Sequence, residues 1–338
     1  MTIQAIAAMT KPMIADGVPM IHTLEPTLAN LHGHFSRDLP PILTIASGDT
    51  VRYKTLDAGW CEFDQPDPFV QPIKLTGRNR QCDPGHALIG PITIAGAKKG
   101  MTLELHFKTI RTGAWGWSSG GGWKSDVNTR LNLDDGTEWT LRWALDSAKD
   151  IAVNQRGQRI ALKPFMGNFG MPPNEDGSHS TFSPRFCGGN MDCKELTEGS
   201  RVFLPVSVDG ALFSIGDGHA IQGDGEVTGP ALECPMELVE VEFHLHPSMQ
   251  IRFPRAWTST GWITLGFHED LDEAAVIALD SMLDLMNEKY QLERKEALAL
   301  SSLLVDLRVT QIVNGVKGVH AVLPHHVIPG ILSQTAPR

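Results

Sequence analysis

The sequence predicts a mainly β fold, with a β-sandwich or barrel-like region followed by an α+β carboxy-terminal region. From residue 42 to about residue 250, short apolar or alternating runs recur between Gly, Pro and Asp, with hardly any helical pattern. After Gly266 the apolar residues instead recur at helical spacing. We therefore expect residues 1–250 to form the β-rich region that carries the site, and residues 251–338 to form an α+β region with two helices.

Five segments of the first region are predicted as strands joined by tight turns. In chain order they are "PILTIASGDTVRYKTL", "GPITIAGAKKGMTLELHFKTI", "EWTLRWAL", "GSRVFLPVSVDGALFSIG" and "ELVEVEFHLHP". In the last of these, apolar and polar residues alternate from Val239 to His246. Because side chains alternate across a strand, one face of this strand is predicted to be buried and the other polar.

The second region begins with two helical patterns. "DLDEAAVIALDSMLDLMNEKYQL" has acidic residues at its start, where they suit the helix dipole, and "ERKEALALSSLLVDL" follows it. "RVTQIVNG" and "GVHAVLP" are then predicted as a returning pair of strands joined by an Asn-Gly turn or a slightly longer loop.

Two Gly-rich segments stand apart from this pattern. "GAWGWSSGGGWKSD" (113–126) holds three of the eight tryptophans and is predicted as either a mobile surface flap or a lid over a site. Residues 166–196 are predicted as a long segment without regular structure, which in a compact domain favours a functional loop.

Composition limits the classes of partner and the cellular location. The 338 residues carry a net charge of -10 with no long basic run, which argues against nucleic-acid binding. No apolar run approaches the roughly 20 residues of a membrane span, and the first 20 residues lack the pattern of a signal peptide. The five cysteines include no CxxC pair, which favours reduced thiols and a cytoplasmic protein.

The stretch "SIGDGHAIQGDGEVTG" (214–229) is the first candidate for chemistry. Residues 202–215 are predicted as two strands around an Asp-Gly turn, so the polar residues would begin where a strand leaves the sheet. They supply hydrogen-bond acceptors, a proton carrier and metal ligands, a mixture that suits a hydrolytic site: Asp217, His219, Gln222, Asp224 and Glu226. The alternative is a polar hairpin connection. The spacing does not match an EF-hand calcium loop.

Three further residues could hold a metal ion. His32 stands in "NLHGHFS", His86 precedes an apolar strand run, and Asp192 lies between Cys187 and Cys193 in "FCGGNMDCKEL". Neutral imidazoles are the commonest metal ligands, although a given histidine is more often a hydrogen-bonded bystander. For Asp192 the alternative is a turn cap.

Taken together, these segments resemble the acetamidase/formamidase family. The likeness is carried by "SRDLPPILTIASGDTV" (36–51), "GHALIGPITIAGAKKGMTLEL" (85–105), "GGNMDCKEL" (188–196), "LPVSVDGALFSIGDGHAIQGDGEVTGPALE" (204–233) and "RVTQIVNGVKGVHAVLP" (308–324). The resemblance implies jelly-roll-like sandwich parts, a homo-oligomer, and hydrolysis of small primary amides to a carboxylate and ammonia. It also implies a divalent metal cofactor, with zinc as the first choice and calcium as the second.

The resemblance carries over eight polar residues by position, and their clustering suggests the roles. His32, His86, Asp192 and His219 are expected as metal ligands, Glu226 and Asp217 as catalytic residues, and Gln222 and Asp224 as substrate-binding residues. Segment 113–126 matches no family pattern and is expected to shape the substrate pocket, together with the loosely matching "NLHGHFS".

Two other hypotheses remain open at this point. In the first, Cys193, beside Lys194 and near Glu195, is the nucleophile of a metal-free amidase. In the second, the protein binds a sugar or another small ligand without transforming it, and the tryptophans of segment 113–126 form a stacking platform.

Overall fold

A computed structural model describes residues 18–328 of the chain. The signal-peptide prediction concerns the first 20 residues, of which 1–17 lie outside the described residues. The fold is mainly β, as predicted. Within residues 18–328, no helix combines the length and the apolar character that a membrane span requires.

Two large sheets account for the strands. Numbered in chain order, the strands are β1 (Ile21–Leu24), β2 (Leu31–His32), β3 (Leu43–Ile45), β4 (Thr50–Thr55), β5 (Leu88–Ile94), β6 (Thr102–Thr112), β7 (Trp115–Gly120), β8 (Trp139–Asp146), β9 (Ile151–Asn154), β10 (Arg159–Ala161), β11 (Phe165–Gly170), β12 (Gly188–Asn190), β13 (Arg201–Pro205), β14 (Phe213–His219), β15 (Glu233–Cys234), β16 (Met236–His246), β17 (Arg255–Trp257), β18 (Gly261–His268), β19 (Asp306–Gln311) and β20 (Lys317–Pro324). The helices are α1 (Asp126–Arg130), α2 (Leu271–Tyr290) and α3 (Arg294–Leu304).

The nine-stranded sheet has the order β1-β4-β16-β6-β13-β17-β18-β20-β19. The eleven-stranded sheet runs β10-β9-β8-β7-β15-β14-β11-β12, with β5 beside β14 and with β2 and β3 beside β5. Strands β17 to β20 extend the same sheet that contains β4 and β6. The predicted division between residues 250 and 251 therefore falls between strands of one continuous sheet.

The main core lies between the two sheets. Phe107 of β6 packs edge-on against Phe169 of β11, and Phe243 of β16 packs edge-on against Phe213 of β14, with ring centroids 5.2 Å apart in each pair. Val239, Val241 and Phe243 of β16 are fully buried and Leu245 is half-buried, while the alternating polar residues Glu240, Glu242 and His244 are half-buried. The alternation predicted for this strand is confirmed.

The two predicted helices are α2 and α3. Asp270 caps α2 by accepting hydrogen bonds from the backbone N–H groups of Asp272 and Glu273. The buried face of α2 packs on β18 and β20, and α3 packs on α2. The helices thus cover one end of the nine-stranded sheet, and β19 and β20 form the predicted returning pair of strands.

The Gly-rich segment 113–126 is in part a regular strand, and its residues 121–125 form a loop before α1. Its first half is strand β7, which pairs with β8 on one side and with β15 on the other. Gly116 serves close packing, because a Cβ there would lie 2.5 Å from Leu232 Cδ2 and 2.7 Å from the carbonyl oxygen of Glu233. Gly116 of β7 therefore reflects close packing between strands, which the sequence alone does not distinguish from mobility.

Two further local predictions need correction. Residues 202–215 do not form a hairpin, since β13 belongs to the nine-stranded sheet and β14 to the other. Strand β14 also continues through His219, so Asp217 and His219 lie within the sheet. Segment 166–196, predicted to lack regular structure, contains most of β11 and all of β12, which pair with each other.

Candidate active site

The site is built at the end of β14, between its neighbours β11 and β15. In the antiparallel register His219 lies opposite Phe165 on one side and opposite Glu233 on the other. Three acidic residues around it have left-handed backbones: Asp192 (φ 50°), Asp217 (φ 58°) and Glu226 (φ 44°). Such conformations cost about 1–3 kcal/mol each and cluster at functional sites.

His219 is the centre of the arrangement and is 1% exposed. Its Nδ1 lies 3.0 Å from Gln222 Oε1, an atom that can only accept, so Nδ1 carries a proton and donates it. Its Nε2 lies 3.3 Å from Asp217 Oδ1 and 3.3 Å from Glu233 Oε1. The second nitrogen of the ring is therefore directed at carboxylate oxygens.

Gln222 holds this geometry in place. While its Oε1 accepts from His219, its Nε2 donates to the backbone carbonyl of Asp192 at 2.7 Å. A polar group behind a histidine that fixes its tautomer is a recurrent feature of metal sites. Both ends of the amide predicted to contact substrate are thus bonded to the protein.

Four buried carboxyl groups surround His219. Asp192, Asp217, Glu226 and Glu233 are each at most 5% exposed. Each has one oxygen without a hydrogen-bond partner: Asp192 Oδ1, Asp217 Oδ1, Glu226 Oε2 and Glu233 Oε2. Potential ligand atoms of Asp192, Asp217 and His219 lie within 4.8 Å of one another, and so do those of His219, Glu226 and Glu233.

The buried acids strongly perturb one another. Burial raises the pKa of Asp192 to about 8 and that of Glu233 to about 7. Burial, and then the charge of Asp192, raises the pKa of Glu226 well above its usual range. For Asp217 burial acts in the same direction, but His86 and His219 outweigh it and the pKa is lowered.

His219 shifts the opposite way from a simple buried imidazole. Burial alone would lower its pKa, but Glu233 and Asp217 raise the pKa well above the usual value. Perturbations of this kind, produced by desolvation and by specific charged partners in a cleft, mark functional sites.

These residues fit a divalent cation. Carboxyl groups outnumber the single imidazole. Three buried oxygens have no partner and a fourth, Asp217 Oδ1, has only His219 Nε2 at 3.3 Å, an arrangement that a bound cation would compensate. Oxygen donors with one imidazole suit zinc, whereas calcium takes oxygen ligands only. Because His219 belongs to both groups of potential ligands, the donor set favours zinc.

A pocket of about 420 Å³ opens beside these residues. Among the site residues, Gln222 and Glu226 form part of its wall. The other lining side chains are mostly apolar: Trp143, Ile160, Ile221, Val227, Pro230, Ala231 and Leu232. Of the four buried acids, Glu226 is therefore the one that faces a space large enough for a substrate.

His32, a predicted metal ligand, lies outside the cluster. Its Nδ1 is 2.7 Å from the carbonyl oxygen of His34, and its Nε2 is 2.9 Å from Ser214 Oγ. Burial lowers its pKa to about 4, so the ring is neutral and both nitrogens have protein partners. These contacts are those of a hydrogen-bonded, buried histidine.

His86 borders the cluster without belonging to either group of ligands. Its Nδ1 lies 3.1 Å from Thr181 Oγ1 and 3.3 Å from Asn168 Nδ2, and its ring packs against Phe182. It lies near enough to Asp217 to lower that residue's pKa. The geometry therefore gives His86 an electrostatic contact with the site.

Asp224, predicted to bind substrate, is on the pocket rim. It forms an ion pair with Lys194 at 2.9 Å and is a third exposed. Together with Glu195 and His320 it forms another group of potential ligands, but Glu195 is already paired with Lys163 and Arg308.

Sequence reasoning missed Glu233 and Asn314. Glu233 is a single acid in the short buried strand β15, and an acid inside an apolar run was the available signal. Asn314 was assigned to a turn, but its Nδ2 donates to Asp192 Oδ2 at 2.5 Å. Gln311 fixes this turn by accepting from the backbone N–H groups of Val313 and Asn314.

The two other hypotheses lose support from the geometry. Cys193 is fully buried, and burial raises its pKa to about 12, so its thiol stays protonated and inert. Trp115 and Trp117 lie in strand β7, where their indole N–H groups donate to the carbonyl of Phe63 and to Asp57 Oδ2. These bonds fix both indoles at the sheet, which favours a structural role for them, while Trp123 lies in the loop after β7.

Comparison with known proteins adds a family. The pattern of the Acetamidase/Formamidase family matches residues 175–255, which contain all five central site residues. A formamidase of Methylophilus methylotrophus is 26% identical over 253 residues, covering 59% of this chain and 60% of that protein. The chain spans about 60% of the length of the curated relatives it matches.

Two solved structures share the fold over nearly their whole length. An acetamidase from Bacillus halodurans is 30% identical, with a TM-score of 0.77, and the match covers 90% of this chain and 97% of that one. A structure described as a predicted acetamidase/formamidase from Thermoanaerobacter tengcongensis is 25% identical, with a TM-score of 0.78, covering 91% and 96%.

Proposed function

Because this chain belongs to the acetamidase/formamidase family, we propose that it hydrolyses the C–N bond of primary amides to a carboxylate and ammonia. The observation that carries the proposal is the buried group of acids around His219, with Glu226 facing the pocket. A polar catalytic group at the wall of an otherwise apolar pocket is the usual form of an active site.

Asp192, Asp217 and His219 are the residues that would hold a divalent metal ion. Their potential ligand atoms lie within 4.8 Å of one another, and Gln222 keeps the His219 ring in the tautomer that leaves Nε2 available. When bound, such an ion lowers the pKa of a water molecule and polarises the amide oxygen. Asn314 supports the set by donating to Asp192 Oδ2.

Glu226 is the residue that moves the proton. Glu226 lines the pocket, its buried Oε2 has no hydrogen-bond partner, and its pKa is raised, which brings proton exchange closer to neutral pH. Glu226 accepts a proton from the attacking water and delivers it to the amide nitrogen. The nitrogen is too basic to leave unprotonated, so ammonia departs only after this transfer.

The direct test is ammonia release from formamide, acetamide and propionamide, before and after chelator treatment, with metal content determined on the same sample. Release that is lost with the chelator and restored by a divalent ion supports the proposal. Release that is indifferent to metal removal would overturn the metal-assisted mechanism. No release from any amide would overturn amide hydrolysis itself.

A further inference from the structure

We propose that the pocket beside Glu226 is an acyl pocket that selects primary amides with an uncharged, apolar acyl group larger than acetyl. The acyl pocket is defined by the lining residues given above. This inference rests on the proposed function, and it narrows the substrate class. It is carried by the size of the pocket, the chemistry of its walls and its continuity with Glu226.

The pocket is large for the smallest amides. A heavy atom of a small polar molecule occupies about 30 Å³, the share of one water in the liquid, so acetamide fills roughly 120 Å³. The pocket measures about 420 Å³. Acetamide would leave most of it to water, whereas an acyl group of about six to eight carbons would fill much of the remainder.

The walls of the pocket are mostly apolar, and its polar lining side chains are those of Ser118, Gln222, Asp224, Glu226 and Thr228. The indole of Trp143 and the side chains of Ile160, Ile221 and Leu232 supply the largest apolar surfaces. Burying apolar substrate against such walls is favourable in proportion to the area removed from water.

The polar groups along the apolar walls are already bonded. Ser118 Oγ accepts from the Trp143 indole N–H at 3.1 Å, and Thr228 Oγ1 donates to the carbonyl of Pro230 at 3.1 Å. On the rim, Asp224 is paired with Lys194. No charged group of the lining other than Glu226 lacks a described ion pair, so a charged acyl group would be desolvated there without compensation.

The test is a series of kcat/KM values for formamide, acetamide, butyramide, hexanamide and cyclohexanecarboxamide. Each methylene buried should raise kcat/KM about fourfold, so hexanamide should exceed acetamide by about two orders of magnitude. A series in which formamide or acetamide has the highest kcat/KM would overturn the inference while leaving the proposed function intact.

A matched pair of variants tests the position of the acyl group. Val227 and Val276 are similarly exposed, at 55% and 60%, but only Val227 lines the pocket, while Val276 lies on α2. Val227→Trp should lower the hexanamide-to-acetamide ratio of kcat/KM at least tenfold, because the indole occupies the pocket rim. Val276→Trp should leave the ratio unchanged.

The same variants also test whether a second copy of the chain, rather than an acyl group, occupies the pocket. If a second copy of the chain covers it, Val227→Trp will change the oligomeric state in gel filtration and leave the selectivity ratio unchanged, which would overturn the inference. If no amide releases ammonia, amide hydrolysis itself is rejected, and the assignment of an acyl pocket is rejected with it.

Discussion

At the scale of single residues, the proposed proton transfer by Glu226 can be tested directly by substitution. Glu226→Gln keeps the size of the side chain but removes its ability to carry a proton, so kcat should fall about 10²–10⁴-fold. Metal content should be unchanged, because Asp192, Asp217 and His219 remain. The measurement is steady-state ammonia release with metal analysis of the same sample.

Glu237→Gln is the matched control, since Glu237 is an exposed residue of β16. Its activity should equal that of the unaltered protein. Near-normal turnover of Glu226→Gln would remove Glu226 from the proton transfer and direct attention to Glu233, which lies 3.3 Å from His219 Nε2.

A second residue-scale prediction concerns stability rather than chemistry. Asp49 is buried and accepts from the backbone N–H groups of Met20 at 2.8 Å and Ala46 at 2.9 Å. Asp49→Asn places an amide donor opposite one of these N–H groups, which should cost about 1–3 kcal/mol of the free energy of unfolding at neutral pH. Chemical denaturation of the variant and of the exposed control Asp306→Asn measures the difference.

The pH dependence of that difference has a definite sign. Burial tends to raise the pKa of Asp49, but the hydrogen bonds from Met20, Ala46 and His22 outweigh it, so the folded pKa is lowered. The contribution of the ionised carboxylate is therefore present above the unfolded pKa of about 3.9 and is lost as the pH falls below it. A gap between the two proteins that widens in acid would contradict this account.

Individual site residues could be found from the sequence only in part. Asp217, His219 and Glu226 were identifiable because acids and a histidine stand among glycines in one short stretch. Asn314 was not, because nothing local links it to Asp192, which is 122 residues away in the chain. Contacts between such distant residues depend on the order of the strands in the sheets, which no local sequence pattern predicts.

At the scale of elements, the hairpin of β19 and β20 is tied to the site. The backbone N–H of Gly225 donates to the carbonyl of Thr310, and that of Ile312 donates to the carbonyl of Gly225. The hairpin thereby holds the loop that carries Glu226 and brings Asn314 to Asp192. An element remote in sequence thus positions two parts of the site.

Asn314→Ala tests this positioning role. Loss of a hydrogen bond to a proposed ligand should weaken metal affinity about 10–100-fold. It should also shift the acid limb of the pH–activity profile upwards, because the bond from Asn314 favours the ionised form of Asp192. Metal titration and the pH profile are the measurements.

Asn174→Ala is the control for this variant, since Asn174 is exposed and bonds only Arg37 among its described side-chain contacts. A loss of stability in Asn314→Ala without a change in metal affinity or pH profile would reduce Asn314 to a structural residue of the hairpin.

Helices and strands were predicted correctly where the apolar residues recur at a regular spacing. They were missed where packing against a neighbouring strand determines the structure. Strand β16 and helix α2 follow from alternation and from helical spacing, and both were predicted. Strand β7 was missed because its glycines permit close packing against β15, a requirement that appears only once the neighbouring strand is known.

At the scale of the whole molecule, the fold buries four carboxyl groups next to one another, and a bound cation would offset the cost of their negative charge. The eleven-stranded sheet and the loops that follow its strands bring four acids, each at most 5% exposed, close to His219. Without a metal ion, burial raises the pKa values of Asp192, Glu226 and Glu233, so these groups keep their protons to a higher pH than usual. Stability of the metal-free protein is therefore coupled to pH.

The sign of this coupling follows from the direction of the shifts. A group whose folded pKa is raised contributes stability fully below its unfolded pKa and loses it as the pH rises through the folded pKa. For Asp192 and Glu233 the folded values are about 8 and about 7. Asp217, whose pKa is lowered, acts only in strong acid, outside this range.

The metal-free protein is thus expected to lose thermal stability steadily as the pH rises from about 5 to about 8, and the metal-loaded protein to lose much less. Zinc at about 100 times its dissociation constant should raise Tm by roughly 5 °C at neutral pH, and by more in mild alkali. Thermal unfolding of chelated and zinc-loaded samples across this range is the measurement. Parallel pH dependences in the two samples would mean that the buried acids do not bind the ion, since only a ligand that replaces their protons can remove their contribution to the pH dependence.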